Sequence, residues 1–81
     1  MADNDAVLLD RWTTERDAEA FRDIVARHGA MVYATCRRIL RDATEAEDAT
    51  QDCFELLSMT NRAPGDHLGA WLHTVATYNC I

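Results

Sequence analysis

Carboxylates dominate one short segment of this 81-residue chain. Five acids and no base lie between residues 44 and 60, at Glu45, Glu47, Asp48, Asp52 and Glu55. Carboxylates this close could act as a general acid and base, but only in a cleft that separates their pKa values. They could also form a solvated face, or a face that docks a basic partner. Complementary charge on a docking face would speed the encounter and fix the register of binding.

A helix over about residues 44–60 is predicted to carry these acids, because Thr44 and Glu47 fit a capping box. At about 100° per residue, one arc forms a core-facing stripe made of Ala46, Ala49, Cys53, Leu56 and Leu57. A second arc beside it, here called the acidic stripe, holds Glu45, Asp48, Asp52 and Glu55, with Gln51 at its edge. A convex helix face offers no cleft, so a hydrolase using Glu47, Asp48 or Asp52 is disfavoured.

The rest of the chain shows helical periodicity and no strand signals, which predicts an all-α bundle of four or five helices in one domain over 1–81. A first helix is expected over about 5–13, ending at Thr13 and Thr14. Asp17 is a plausible cap for an amphipathic stretch over 17–41, either one helix or two hinged at Gly29. Residues 61–67 have loop composition, and a last helix begins near Asp66 or His67 and covers 68–79.

The predicted inward-facing residues recur at steps of three and four. In the long stretch they are Phe21, Ile24, Val25, His28, Val32, Cys36, Ile39 and Leu40. In the last helix they are Leu68, Trp71, Leu72 and Val75.

The net charge of −6 is unevenly distributed, and the chain has no lysine. Residues 44–81 carry six acids against Arg62 alone, which makes the chain a poor non-specific binder of nucleic acid. No apolar run approaches the roughly 20 residues that a membrane span needs, and the acidic N-terminus lacks the features of a secretory signal. A cytoplasmic protein without a membrane partner is expected.

Cysteine and histidine spacing predicts neither a metal site nor a cofactor. Cys36, Cys53 and Cys80 are far apart and form no paired motif, so they are expected to be reduced thiols that act as small apolar residues. His28, His67 and His73 form no metal-binding pair.

Several segments, in order and spacing, resemble the extracytoplasmic-function sigma factors of bacterial RNA polymerase. The most specific is AEDATQDCF at 46–54, which resembles the family stretch AED-x-x-Q-[ED]-x-F. Weaker similarity is found at 17–28, 32–33, 38–42, 70–73 and 75–76. The resemblance covers nearly the whole chain and implies the conserved region-two domain of a sigma factor.

In that family the acidic helix docks on the clamp-helix coiled coil of the largest polymerase subunit. The resemblance implies that Asp48, Gln51 and Asp52 are core-binding residues, with Glu55 on the same face. Carboxylates there would pair with arginines, which bind them in bidentate fashion. The domain would not be an enzyme, since the polymerase performs the chemistry.

The family also opens promoters, through a loop that captures a flipped base of the minus-ten element and a helix that reads the neighbouring strand. The resemblance places these at 61–67 and 68–79, with Arg62, Trp71, Thr74 and Thr77 as DNA-binding candidates. Thr74 and Thr77 stand where the family has basic residues, and comparison with the family pattern leads us to expect a truncated promoter-reading helix. We also expect the second sigma domain to be absent, and promoter DNA contact to occur only in a full-length context.

Two further hypotheses stay open. The chain could be an interaction module that binds polymerase or an anti-sigma factor without binding DNA. The isolated domain could also form a homodimer through apolar surface near Trp12, Trp71 and Ile81.

Overall fold

The computed structural model describes residues 4–60 and 65–80, and all regular structure in these ranges is helical. Four α-helices occur in chain order: α1 over Asp5–Glu15, α2 over Ala18–Leu40, α3 over Ala43–Met59 and α4 over Leu68–Asn79. A 3₁₀ turn, Gly65–His67, leads into α4. The predicted all-α bundle is confirmed. None of the described helices is long and apolar enough to cross a membrane.

The first three helices each begin at an Asn or Asp side chain that accepts a hydrogen bond from a free backbone N–H. Asn4 accepts from the Val7 amide at 2.9 Å, and Asp17 accepts from the Glu19 amide at 3.1 Å, so the predicted cap at Asp17 is confirmed. The capping box at Thr44 was wrong. Asp42 caps α3 instead, accepting from the Glu45 amide at 3.0 Å.

The capping of α3 follows from the tight connection before it. Arg41 ends α2 in the left-handed conformation, with φ 64°, and its amide donates to the Arg37 carbonyl. The chain then enters Asp42 in the extended conformation that an N-cap requires. Only these two residues separate the helices, so α3 begins before Thr44 can act as a cap.

The predicted break at Thr13 and Thr14 was also wrong, because α1 continues to Glu15. Both threonine hydroxyls donate to the Asp10 carbonyl, at 3.2 and 2.7 Å, so they are satisfied within the helix. The helix ends at Arg16, a left-handed residue with φ 53° whose amide donates to the Trp12 carbonyl.

The longest helix, α2, runs unbroken through Gly29 and packs against α1, α3 and α4. The single-helix alternative is therefore confirmed. Its residues Ile24, Val32 and Cys36 are fully buried. They meet the small-residue side of α3 and the apolar side of α4, where Leu68 and Leu72 are buried.

The core differs from the prediction at Ile39, Leu56 and Phe54, among other positions. Ile39 and Leu56 were expected inside, yet they are 39% and 46% exposed. Ile39 lies in the last turn of α2, one residue before the helix ends. On α3 the buried arc is shifted toward Phe54, which is 6% exposed and was not predicted, and Leu56 is left at the opposite edge.

Helix α1 is fastened to the end of α3 through one backbone carbonyl. The Trp12 indole Nε1 and the Arg16 guanidinium both donate to the Ser58 carbonyl, each at 3.1 Å. The Arg16 guanidinium lies 5.1 Å from the centroid of the Trp12 ring, and the Trp12 and Phe21 rings are 4.8 Å apart. Trp12 is consequently half-buried.

A second connection joins α1 to α2 and α4. The His28 Nε2 lies 2.8 Å from an Asp5 carboxylate oxygen, and Arg27 lies 3.5 Å from the other oxygen. The His28 ring also packs against Gly69, where a Cβ would lie 3.6 Å from the imidazole. At that distance a Cβ would make ordinary van der Waals contact with the ring, so α4 lies directly against the histidine.

The three cysteines, distant in sequence, converge in the core. Cys36 of α2 contacts the thiols of both Cys53 on α3 and Cys80 at the end of α4. All three are free and buried, as expected of small apolar residues. Burial, reinforced by Cys36, raises the pKa of Cys53 to about 11 and that of Cys80 to about 12, so both are neutral thiols near pH 7. Within the described ranges no group of His, Cys, Asp or Glu could hold a metal ion.

Replacing Gly29 by Ala should stabilise the fold. Gly29 lies inside α2 without a positive φ, and an added Cβ would meet no atom within 4 Å. Alanine restricts the unfolded chain and has the higher helix propensity, so we expect the free energy of unfolding to rise by about 1 kcal/mol. Urea denaturation followed by circular dichroism measures this. A loss of stability would show that α2 needs flexibility at residue 29.

Candidate functional site

Helix α3 is held in one orientation by a stripe of small buried residues. Ala46 and Cys53 are fully buried and Ala49 is 7% exposed, which lets neighbouring helices approach closely. Asn79 of α4 adds a directional contact, because its side-chain amide donates to the Ala49 carbonyl at 3.2 Å and lies 3.8 Å from the Cys53 sulfur. Rotation of α3 about its own axis is thereby restricted.

This orientation leaves the whole acidic stripe facing solvent. The four predicted polymerase-binding residues, Asp48, Gln51, Asp52 and Glu55, are all exposed on α3. Throughout the described ranges, none of their side chains makes a hydrogen bond or an ion pair. Since α3 contains no basic residue, its own sequence provides no neutralising partner. The structure therefore brings these four side chains together as an open, negatively charged surface.

Such a surface suits contact with a charged macromolecule better than catalysis. Electrostatic catalysis relies on a preorganised site from which water is excluded, and the stripe is solvated along its length. From Asp48 to Glu55 it extends about 10 Å, or two helical turns.

The DNA-binding candidates follow the stripe in sequence, and those that the structure describes differ in exposure. Arg62 is outside the described residues, as is Ile81. On α4, Trp71 is half-buried against the core, Thr74 is exposed and Thr77 is half-buried. The hydroxyls of both threonines donate to backbone carbonyls four residues earlier, at 3.0 and 2.9 Å, so their protons are already engaged.

Two exposed residues near these sites were not predicted. Tyr78 is 75% exposed and follows Trp71 by seven residues, which places both on one face of α4. Met59 is 66% exposed and follows Glu55 by four residues, so it continues the acidic stripe by one turn. In both cases the helical spacing was readable in the sequence, but the exposure was not.

A groove adjoins the C-terminal end of the acidic stripe. It has a volume of about 280 Å³ and is lined by Asp52, Glu55, Leu56, Met59 and Asn79. Its walls come from α3 and from the end of α4. Charged and apolar side chains thus share one surface.

Comparison with models of protein families matches residues 24–81 to the family described as Sigma-70 region 2. The match includes α3, α4 and α2 from Ile24 onward, and it leaves α1 outside. Comparisons with curated proteins and with solved structures find no match.

Neutralising part of the acidic stripe should stabilise the isolated chain. Asp52 is a like-charge neighbour of Asp48 and of Glu55, at spacings of four and three residues. Each such pair costs a few tenths of a kcal/mol, and Glu55 also lies in the half of the helix where the dipole disfavours an acid. We expect Asp52→Asn with Glu55→Gln to raise the free energy of unfolding by about 0.5 kcal/mol in low salt.

Urea denaturation at low and at about 1 M NaCl measures this, and the gain should shrink in high salt because screening already weakens the repulsion. A loss of stability in low salt would contradict the absence of stabilising contacts around these two carboxylates.

Proposed function

Because the chain belongs to the sigma-70 region 2 family, we propose that residues 1–81 form the region-two domain of a sigma factor whose acidic stripe docks on the clamp helices of the largest RNA polymerase subunit. Region 2 takes part in core polymerase binding and promoter melting, and the family consists of non-catalytic initiation factors. The motif at 46–54 supports the extracytoplasmic-function subgroup. Such a domain works in the cytoplasm, beside the polymerase.

One observation carries the docking proposal. Asp48, Gln51, Asp52 and Glu55 are exposed together, and within the described part of the chain their side chains have no partners. Charges that repel one another at helical spacing cost stability. A face of this kind becomes favourable when a basic partner neutralises it, which gives a physical reason for its presence.

The chemistry of the stripe specifies its partner. Carboxylates accept two parallel hydrogen bonds from an arginine guanidinium, and Gln51 offers both a donor and an acceptor at the edge. A partner helix with arginines at matching spacing would satisfy several of these groups at once. Complementary charge would mainly increase the association rate and fix the register.

We propose that α4 contributes to promoter opening within the full-length protein. Trp71 and the exposed Tyr78 present aromatic surface on one face, and aromatic rings stack on unpaired bases. Thr74 lies on the same side of the helix. Arg62 and Thr77 remain candidates from the family resemblance.

A second candidate is an interaction module that binds polymerase or an anti-sigma factor without contacting DNA. The observation that favours it is that α4 contains neither lysine nor arginine. In addition, the protons of Thr74 and Thr77 are used within the helix. Phosphate contacts would then have to come from elsewhere.

Reversing two charges of the stripe should weaken docking. We expect Asp48→Arg with Asp52→Arg to weaken binding to a clamp-helix fragment at least about tenfold, because attraction becomes repulsion at the centre of the face. Titration calorimetry with the purified fragment measures the affinity, and circular dichroism verifies that the helices are retained.

A matched control is Glu19→Arg with Asp23→Arg. These exposed acids of α2 have the same four-residue spacing and give the same change in net charge. The control should bind within about twofold of wild type, since net charge acts mainly on long-range steering. If the Asp48 and Asp52 variant binds as tightly as wild type, the docking face lies elsewhere.

Single-stranded minus-ten DNA distinguishes the two candidates. We expect the chain alone to bind a labelled oligonucleotide weakly, since its charge is unfavourable, and to discriminate it from a scrambled oligonucleotide once core polymerase is bound. Fluorescence anisotropy at about 150 mM salt measures both. No discrimination in the polymerase complex would favour the interaction module, and tight sequence-dependent binding by the chain alone would exclude it.

A further inference from the structure

The acidic stripe does not end in solvent-exposed polar residues, but in exposed apolar ones. Asp52, Glu55, Leu56 and Met59 follow one another at helical spacings of three, one and three residues, so they lie on one side of α3. Leu56 is 46% exposed and Met59 is 66% exposed. The N-terminal part of this face is purely charged or polar, and its C-terminal part is mixed.

These apolar residues line the groove between α3 and the end of α4. Asp52 and Glu55 form its acidic rim, and Asn79 forms part of the opposite wall. The Asn79 amide is held by the Ala49 carbonyl, so that wall has a fixed position. The groove is therefore an open depression whose lining combines apolar and negatively charged side chains.

The last turn of α3, which carries Met59, is also held in place. The Ser58 carbonyl accepts hydrogen bonds from the Trp12 indole and the Arg16 guanidinium. The Ser58 hydroxyl donates to the Glu55 carbonyl at 2.6 Å. Because this helix end is already ordered, the chain itself would lose less conformational entropy when a partner binds here.

We propose that this groove receives an apolar side chain of the same basic helix that docks on the acidic stripe. The inference rests on the proposed function and extends it, because it gives the partner helix two features. Its arginines face Asp48 and Asp52, and an apolar residue lies further along and enters between Leu56 and Met59. From Asp48 to Met59 the contact spans about 17 Å, or three helical turns.

Charge complementarity selects this occupant. The acidic rim attracts a helix whose apolar residue is flanked by basic side chains. An apolar contact ringed by polar groups is typical of the energetic centre of an interface. The flexible side chain of Met59 can adapt to the shape of the entering residue.

Other occupants fit poorly. A second copy of the chain, with its net charge of −6, would bring a second acidic rim against Asp52 and Glu55. Nucleic acid would place phosphates beside the same two carboxylates.

The test compares Leu56→Ser with Met59→Ser, as a double variant, with Ile39→Ser. Ile39 is 39% exposed on α2 and does not line the groove, so it matches Leu56 in exposure. Binding of each to the clamp-helix fragment is measured by titration calorimetry at about 50 mM and about 500 mM NaCl. Urea denaturation verifies that all variants remain folded.

We expect the double variant to bind about tenfold more weakly than wild type at both salt concentrations, because an apolar contact is little affected by screening. Ile39→Ser should bind as wild type does. The defect of Asp48→Arg with Asp52→Arg should, in contrast, be smaller in high salt.

The outcomes separate the two proposals. If wild type fails to bind the fragment, the proposed function fails and the inference fails with it. If wild type binds and the Leu56 and Met59 variant binds equally well, the inference is overturned while the docking proposal stands. A wild-type dimer in sedimentation that the double variant abolishes would also overturn it, since the groove would then receive another copy of the chain.

Discussion

The arrangement of this molecule depends on the close packing of small side chains along one side of α3. Ala46, Ala49 and Cys53 bring the backbone of α3 near its neighbours. A helix packed this closely cannot rotate about its own axis. The angular position of every other α3 side chain follows from that contact. A rotation by one residue, about 100°, would bury carboxylates and expose the core stripe. Because the small residues of α3 pack against the core, its charged residues face solvent.

The exposed side of α3 conflicts with local helix preferences. Acids are repeated at spacings where like charges repel, and they continue into the half of the helix where the dipole opposes them. Large apolar residues, Leu56 and Met59, are left in solvent beside them. Natural proteins break such local rules mainly at functional sites, where binding compensates for the lost stability. Both departures fall on one face, which strengthens the case that this face has a partner.

Periodicity was sufficient to predict a bundle of four or five helices, most of the core stripe of α3 and the acidic stripe beside it, because these depend only on spacing along one helix. Helix ends were less predictable, since neighbouring polar residues compete for the same backbone groups. Asp42 capped α3 in place of Thr44, and Thr13 and Thr14 stayed within α1. Exposure at the stripe edges, at Leu56 and Phe54, depends on where neighbouring helices end, which a helical wheel does not contain. The convergence of three cysteines and the Trp12 contact with Ser58 join distant segments and leave no local signal.

Because α1 contacts the Ser58 carbonyl, the boundary of the family match differs from the boundary of the structural unit. The family match begins at residue 24, so Trp12 and Arg16 lie outside it. Their side chains nevertheless hold the final turn of α3, which lies inside it. Helix α1 therefore supports a surface to which it contributes no residue. The boundary of a shared sequence pattern therefore need not be the boundary of the smallest unit that keeps the surface in shape.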